Sequence, residues 1–515
     1  MPDDLVAAVE EALSVDPQEF AQQVAEDAER LKEQVTGGQF DNPQALTGLE
    51  YEFYSVKDHD AEGSGSLARV PRRLLEFIGF EKELGLHNAE VSTRPLPVNA
   101  EGIAAQEAEL AAQLRTALNG LSPEGLRIVS DGMWTIPPYG ESAISYLADS
   151  VQDQGIRVAS NMSDAPRYHA MANAPTHVRP AMQLDAPHVS LEADTVMPES
   201  LITSIQPHFQ VPRAVNLPMY YRYALRIAGP LTALGANSPL FPPELYDDVP
   251  ADEILSEAWH ANRIRVFESV MNDPTRDVYK VRFPADVGTV DEAIDRIVDD
   301  PVLVPLQREE TGRFDDSFGT LRLKSGTYWR WVRPVFDGAT PGAANARIEF
   351  RPIAAQPTIR DSIAFQAAFC GLMEALPMLE HPVMELDWTT AEGNFYDAVR
   401  YGIAAEQEWI TLDGTQTTHP PTMYADLLDQ AAEGLRVRGL SEEAIGRYLG
   451  PLRRRVRHGT TPAVWKLREV KDRLADGESF EDAIYGMQRT YIAHQRETVF
   501  DGTFTDWIET ETRYA

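Results

Sequence analysis

Between residues 46 and 56 the chain alternates. In LTGLEYEFYSV, Leu49, Tyr51 and Phe53 fall on one side of an extended backbone and Glu50 and Glu52 on the other, which is a strand period. The preceding segment, residues 1–37, has the helical period instead, with Leu5, Val9, Leu13, Val24 and Leu31 on charged, Ala-rich faces and Gly37-Gly38 as the stop. DHDAEGSGS (58–66) reads as a polar loop, VPRRLLEFIGFEKELG (70–85) as a helix and HNAEVSTRPLPV (87–98) as a second short strand. A helix over 100–120, a strand in RIVSDGMWTIPP (127–138), a strand in SLITSIQPHFQVPRA (200–214) and a helix over 220–241 follow. Residues 245–325 alternate acidic helices with loops and have the composition of an insertion. TYWRWVRPVF (327–336) and ARIEFRPI (346–353) read as paired strands, and from 358 the pattern is helical, with three or four further helices to about 497. Strands with interleaved helices, then a helical end, predict an α+β fold around an antiparallel sheet. The expected division is an N-terminal helical extension (1–40), a main domain (41–420) with the insertion at about 245–325, and a helical C-terminal region (421–515).

Composition narrows the function. The 515 residues are 43% hydrophobic and 24% charged, values of a globular chain. Acidic residues outnumber basic ones by 80 to 46, a formal charge of −34, and only seven of the basic residues are lysines. A surface so acidic and lysine-poor resembles those of proteins from salt-loving organisms, where a Debye length of ~3 Å at 1 M salt blunts self-repulsion. It also argues against nucleic-acid binding, which needs a basic face. The one cysteine, Cys370, lies in AAFCGLMEAL and reads as a buried core residue; it excludes an internal disulfide and a cysteine-rich zinc site. No uncharged apolar run reaches the ~18 residues of a spanning helix, and the acidic, amphipathic start is unlike a secretory signal. A cytoplasmic protein without membrane partners is expected.

Three patterns could carry chemistry. Residues i and i+2 of a strand share a face, so Glu50 and Glu52 stand together, a costly arrangement unless a cation lies between them or one is protonated. Hard oxygen ligands suit Mg²⁺ or Mn²⁺; an exposed face of an acidic protein would show the same pattern. By the same parity Arg347, Glu349 and Arg351 share a face beside Arg330 and Arg333, as a metal and phosphate site would, or as a surface ion-pair ladder would. His208 and Gln210 share a face in QPHFQV, and Asn237 sits in the turn GANSPLF, where it could cap or contact a ligand. Arg453, Arg454, Arg455 and Arg457 form a basic run that reads as a solvated face. Walker-type, G-x-G-x-x-G and H-E-x-x-H motifs do not occur.

In order, these pieces resemble the glutamate–cysteine ligase type 2 family of carboxylate–amine ligases. Its G-x-E-x-E-F is met by Gly48, Glu50, Glu52 and Phe53, and its E-x-x-T by Glu90 and Thr93. Its H-x-H-V appears as His208 to Val211 with Gln210 at the second histidine, and its A-N-S-P as Ala236 to Pro239. Its W-x-x-R-P and E-F-R appear as Trp331 to Pro334, one residue shorter, and Glu349 to Arg351, and its N-x-x-x-A-x-x-x-G as Asn394, Ala398 and Gly402. The resemblance implies a curved antiparallel sheet with helices on its outer face and a metal-holding concave side. It implies ATP-dependent joining of the glutamate γ-carboxylate to an amine such as cysteine, by way of an acyl phosphate. Glu50, Glu52, Glu90 and Glu349 would hold Mg²⁺ or Mn²⁺; Arg333, Arg351 and His208 would be catalytic; Arg351, Asn237 and, more weakly, Gln210 would bind the nucleotide. A phosphotransferase on the same fold and a non-catalytic nucleotide- or amino-acid-binding relative are the alternatives. The amine and the oligomeric state are not legible.

Overall fold

The computed structural model describes residues 3–58, 61–174, 182–273 and 279–514, so His59 and Asp60 of the expected 58–66 loop lie outside it. Strand β1 (Leu46–Lys57) is the spine, followed by β2 (Glu81–Lys82), β3 (Asn88–Ser92), β4 (Leu96–Pro97) and β5 (Leu126–Val129). Two hairpins come next, β6 (Ser150–Asp153) with β7 (Ile156–Ala159), and β8 (Met182–Ala186) with β9 (Val189–Ala193). After them lie β10 (Ile205–Val211), β11 (Val332–Asp337), β12 (Asn345–Phe350) and a short ladder of β13 (Trp409–Ile410) and β14 (Gln416–Thr417). Among the described residues, eight strands make one curled antiparallel sheet in the order β11-β12-β10-β1-β3-β2, with β4 and β5 also paired to β1. The twelve residues of β1 are long enough to hold β10 and then β5 along one edge, and β4 and then β3 along the other.

The odd-numbered face of β1 is the core face. Leu49, Tyr51 and Phe53 are buried there, and helices Ala100–Leu121 and Ile359–Met378 cover it. Several polar groups on this side are paired: Gln366 Nε2 donates to Thr47 Oγ1 (3.0 Å), Gln106 Nε2 to the Thr47 carbonyl (2.8 Å), and Tyr51 hydroxyl to the Gln356 carbonyl (2.8 Å). Cys370 lies against Thr47, fully buried, and burial pushes its thiol up to about 12. It is core, as expected. Helices Pro420–Val437 and Glu442–His458 form a second layer behind Ile359–Met378.

The sequence-based elements need four adjustments. Residues 1–37 form two helices, Asp3–Leu13 and Pro17–Thr36, because Asp16 caps the second by accepting from the amides of Gln18 and Glu19, with Pro17 at its first position. The helix expected over 70–85 is confined to Arg72–Ile78, ended by Gly79 in the left-handed region (φ 74°), which frees residues 81–82 to pair with β3. The strand from 127 leaves the sheet after Val129, where the Ser130 amide and carbonyl are both taken by the Gln495 side chain. The strand expected from 327 begins at Val332: Arg330 turns into the inserted lobe, donating to the Lys280 carbonyl and to Asp300 (2.7 Å). The insertion is also tied to the N-terminal pair. Asp27 Oδ2 accepts from the amides of Thr320 (2.7 Å) and Leu321 (3.2 Å) at the start of helix Gly319–Ser325.

Candidate active site

Register brings the sequence-predicted residues together. Directly opposed residues of an antiparallel sheet share a face, so the pairings Arg333↔Glu349, Glu349↔His208, Gln210↔Arg347, Gln206↔Glu50 and Glu52↔Glu90 place all nine on the side away from the helices. Gly48, opposite His208, has no side chain there; the nearest atom to a Cβ at this position is 3.8 Å away, so a larger residue would fill the cavity above it. Thr93 pins β1 at this point, its Oγ1 accepting from the Leu49 amide (2.9 Å) and from Gln106 Nε2 (3.2 Å). The two motif residues thus shape the floor.

The face divides electrostatically. At one end Glu349 is gripped by Arg333 (Nε to Oε2, 2.9 Å) and by Arg351, and it accepts no other contact of comparable strength. Burial opposes its ionisation, but the two guanidiniums hold it well below the usual carboxylate range. Glu50 Oε1 lies 3.1 Å from His208 Nε2; there too burial is outweighed, chiefly by His208, and the carboxyl is held low. His208 Nδ1 accepts from Arg347 Nε (3.2 Å), which puts the ring proton on Nε2, close to Glu50 but without a hydrogen-bond partner among the described residues. Glu50, His208 and Glu349 offer ligand atoms within 4.8 Å of one another. With Nδ1 accepting, the carboxylates of this trio are the better metal ligands.

At the other end the carboxylates face each other. Glu52 accepts only from neutral donors, the Ser204 amide (2.7 Å) and Gln206 Nε2 (2.8 Å), and burial with the neighbouring Glu83 pushes it up to about 7. Burial and then Glu83, Glu50 and Glu52 raise Glu90 well above its ordinary value, while burial and Glu83 bring Glu199 to about 8. These carboxyls favour a proton because too little positive charge is within reach. Arg263 is the buried cation on this side: its Nη1 donates to the Arg351 carbonyl (2.9 Å), and its Nε has no partner among the described residues. Arg351 donates Nη1 to Gln206 Oε1 (2.6 Å), and its Nε is likewise unmatched. Paired acidic groups that hold protons for want of a cation, next to buried guanidinium donors with nothing to bind, fit a divalent ion with phosphate oxygens.

Two candidates lie elsewhere or act differently. Asn237 is fully buried away from the sheet face, its amide donating to the Ala355 carbonyl (2.7 Å) and the Tyr491 hydroxyl (3.1 Å). The turn around it is structural: Ser238 Oγ accepts from the Arg263 amide (3.0 Å), and the Pro239 carbonyl from Asn262, which sets helix Asn262–Met271 so that Arg263 reaches the site. Gln210 is on the site face, with Nε2 tied to the Gln44 carbonyl (2.6 Å). The Asn394–Ala398–Gly402 motif is a packing device. Asn394 brackets the backbone of Glu408, and a Cβ on Gly402 (φ 55°) would strike His260 at 2.4 Å. Of the basic run, Arg453 and Arg457 are exposed as a solvated face would be, but Arg455 is buried against Asp361. Sequence reasoning missed Gln206, Glu83, Glu199 and Arg263. Gln206 was within reach, since it has the parity of His208; the other three sit in a turn, a short 3-10 segment and the insertion, where no period marks a face.

A cavity of about 530 Å³ opens over the first end of the field, lined by Gly48, Glu50, Thr93, His208, Gln210 and Arg347 among others. Its volume is in the range of small-molecule sites. The model of glutamate-cysteine ligase family 2 (GCS2) matches residues 46–492. Among solved structures, the chain is similar to the glutamate–cysteine ligase of Francisella tularensis in complex with AMP, at 13% identity over 90% of this chain and 91% of that one, with a TM-score of 0.50. It is also similar to a bifunctional glutathione synthetase from Pasteurella multocida, at 14% identity over 91% of this chain and 55% of that one, with a TM-score of 0.47. At such identities the likeness is one of fold, and the first structure carries it. None of the curated proteins matches the sequence. No helix among the described residues is long and apolar enough to cross a membrane.

Proposed function

This chain belongs to glutamate–cysteine ligase family 2 and is an ATP-dependent carboxylate–amine ligase; from that premise we propose that it joins the γ-carboxylate of glutamate to an amine, cysteine first among them, in the cytoplasm. The observation that carries the reading is the sheet face itself, where carboxylates in excess of cations adjoin guanidiniums with unmatched donors, next to a cavity of about 530 Å³ over Glu50 and His208. ATP occupies the cavity over Gly48, with Gln210 and Arg347 along its wall and its phosphates toward Arg351 and Arg333. A divalent ion, Mg²⁺ or Mn²⁺, would be held by Glu50 and Glu349 and by Glu52 and Glu90, and when bound it neutralises phosphate charge. An oxygen of the γ-carboxylate attacks the γ-phosphorus and ADP leaves. The amine nitrogen then attacks the acyl carbon, releasing inorganic phosphate and a proton. Arg351 and Arg333 stabilise charge on the transferring group through their planar forks. His208 Nε2–H orients an anionic neighbour at the boundary between carboxylates and phosphates.

The test is ADP release together with product mass, in high salt. Glutamate, ATP, Mg²⁺ and hydroxylamine should yield γ-glutamyl hydroxamate and ADP in equal amounts, with neither formed when glutamate or the metal is omitted. ADP formed from the amine alone, with a phosphorylated amine as product, would establish the phosphotransferase instead.

A further inference from the structure

The carboxylate field does not stop at Glu90. Glu83, next to β2, bears on Glu52, Glu90 and Glu199 and also lines a second cavity of about 220 Å³, which shares no lining residue with the first. Its walls are largely apolar, with Val70, Leu75, Leu86, Val158 and Met162 from the body of the protein and Leu5 from helix Asp3–Leu13, which lies outside the 46–492 family match. The charged groups on its wall are closed on one another: Asp164 is bound by Arg72 (2.9 Å) and by Lys82. Asp164, Arg72 and Lys82 thus leave no charge for a ligand to answer, and Glu83 turns to Glu90 of the carboxylate field.

Two buried polar groups in the wall are open. His169 Nε2 meets the Ser163 carbonyl at 2.8 Å, and since a carbonyl only accepts, the ring proton is on Nε2 and Nδ1 is a bare acceptor. Neither His169 Nδ1 nor Ser163 Oγ has a partner among the described residues, although the two residues are 1% and 3% exposed. Buried polar groups are rarely left so unless something else meets them.

We propose that this cavity is the side-chain subsite for the acceptor amine, and that it takes uncharged, mainly apolar side chains up to the size of a six-membered ring, cysteine being a small member of the range. The inference rests on the ligase reading above and deepens it. An apolar cavity of ~150 Å³ is enough for benzene, so 220 Å³ has room for a ring. A thiol side chain would leave most of that space empty. Because one methylene in an apolar pocket changes specificity by roughly tenfold or more, a site of this size has no means of rejecting amines larger than cysteine.

The wild-type enzyme decides the matter, assayed with Mg²⁺, ATP and glutamate against cysteine, valine, phenylalanine, tyrosine, lysine and aspartate as acceptors. The expected result is kcat/KM for phenylalanine and tyrosine at least equal to that for cysteine, with lysine and aspartate at least tenfold poorer. A preference for cysteine of more than tenfold over every larger amine overturns the proposal. Met162→Trp, which fills the cavity, should cut kcat/KM for tyrosine at least tenfold while leaving γ-glutamyl hydroxamate formation unchanged, since hydroxylamine has no side chain to place. A folded Met162→Trp that uses tyrosine as the wild type does overturns it equally. Absence of hydroxamate from the wild-type enzyme is a different failure, that of the ligase reading itself.

Discussion

Lys466 is fully buried and the glutamates of the sheet face, Glu349 apart, are half-buried, and the two groups are held on different terms. Lys466 meets Asp131, whose other contacts are Gln488 Nε2 (2.8 Å) and the Gly132 amide (2.7 Å). Arg455 meets Asp361 (2.8 Å), which Thr358 and the Phe504 amide complete, and Lys280 and Arg330 share Asp300. In each of these clusters the carboxylate has a cation of its own, although Arg455 Nε, like Arg263 Nε and Arg351 Nε, has no partner among the described residues. On the sheet face, Glu50, Glu52, Glu83, Glu90, Glu199 and Glu349 share Arg263, Arg333 and Arg351, with Arg167 beside Glu83 and Glu90, and two of those guanidiniums converge on Glu349 alone. The first arrangement holds the fold together. The second is an open circuit that ligands complete, and the contrast separates function from architecture better than burial or charge alone.

The largest expected effect tests that contrast directly. Arg455→Met strands Asp361 and should cost about 3–5 kcal/mol of stability, the usual penalty for leaving a buried charge unpaired, with turnover per folded molecule preserved. Glu52→Gln should do the reverse. It relieves repulsion in the field, so the melting temperature holds or rises, while kcat falls by ~10²–10³ or more, the order of loss for removing one preorganised charge at a reacting centre. Turnover numbers and thermal melts on both variants check the pair. Glu52→Gln with lower stability and normal turnover would make the field structural.

The same contrast explains which parts of the molecule the sequence discloses. Strand parity in LEYEF, RIEFR and PHFQ is local, so Glu50, Glu52, Arg347, Glu349, Arg351 and His208 could be assigned to faces before any coordinates, and the pairings bear this out. Helix Ile359–Met378 with Cys370 at its core was equally legible, because its apolar period is long. Glu199 and Arg263 come from segments whose orientation is fixed by distant contacts, such as Ser238 on the Arg263 amide, and nothing local announces them. Asn237 is the opposite case. In sequence a turn residue of this kind can cap or contact a ligand, and the structure adds what no local pattern shows, that its Nδ2 joins the Ala355 carbonyl to the Tyr491 hydroxyl of a C-terminal helix. Arg330 likewise had strand parity with nothing to say that its neighbours are Asp300 and Lys280.

Glu268 lies between the two classes and gives the next effect in size. It is a buried carboxylate completed by neutral donors, Trp331 Nε1 (2.8 Å) and Tyr396 hydroxyl (2.9 Å), and burial brings it up to about 7 from an ordinary 4.5. The folded state therefore binds this proton more tightly than the unfolded chain. Its contribution to stability is full below pH 4.5 and is lost as the pH climbs through 7, a decline of about 3 kcal/mol at about 1.4 kcal/mol per pKa unit. Glu268→Gln should remove that decline. Urea unfolding of both proteins from pH 4.5 to 8 measures it, and parallel profiles would show that the carboxylate is ionised throughout.

Salt should distinguish the field from the outer surface, with the smallest effect. Acidic residues outnumber basic ones by 80 to 46, giving −34, and at 1 M salt the Debye length is ~3 Å, so repulsion among the exposed ones is screened. We expect the melting temperature to rise from dilute buffer to molar KCl, by about 2–4 °C for each kcal/mol regained. Glu52 and Glu90 lie within the sheet face, where mobile ions do not intervene and screening is much weaker. The difference in melting temperature between wild type and Glu52→Gln should therefore stay constant across the salt series while both curves climb together. A difference that shrinks in step with added KCl would place Glu52 in contact with solvent ions, and a flat wild-type curve would mean that the acidic exterior is not an adaptation to salt.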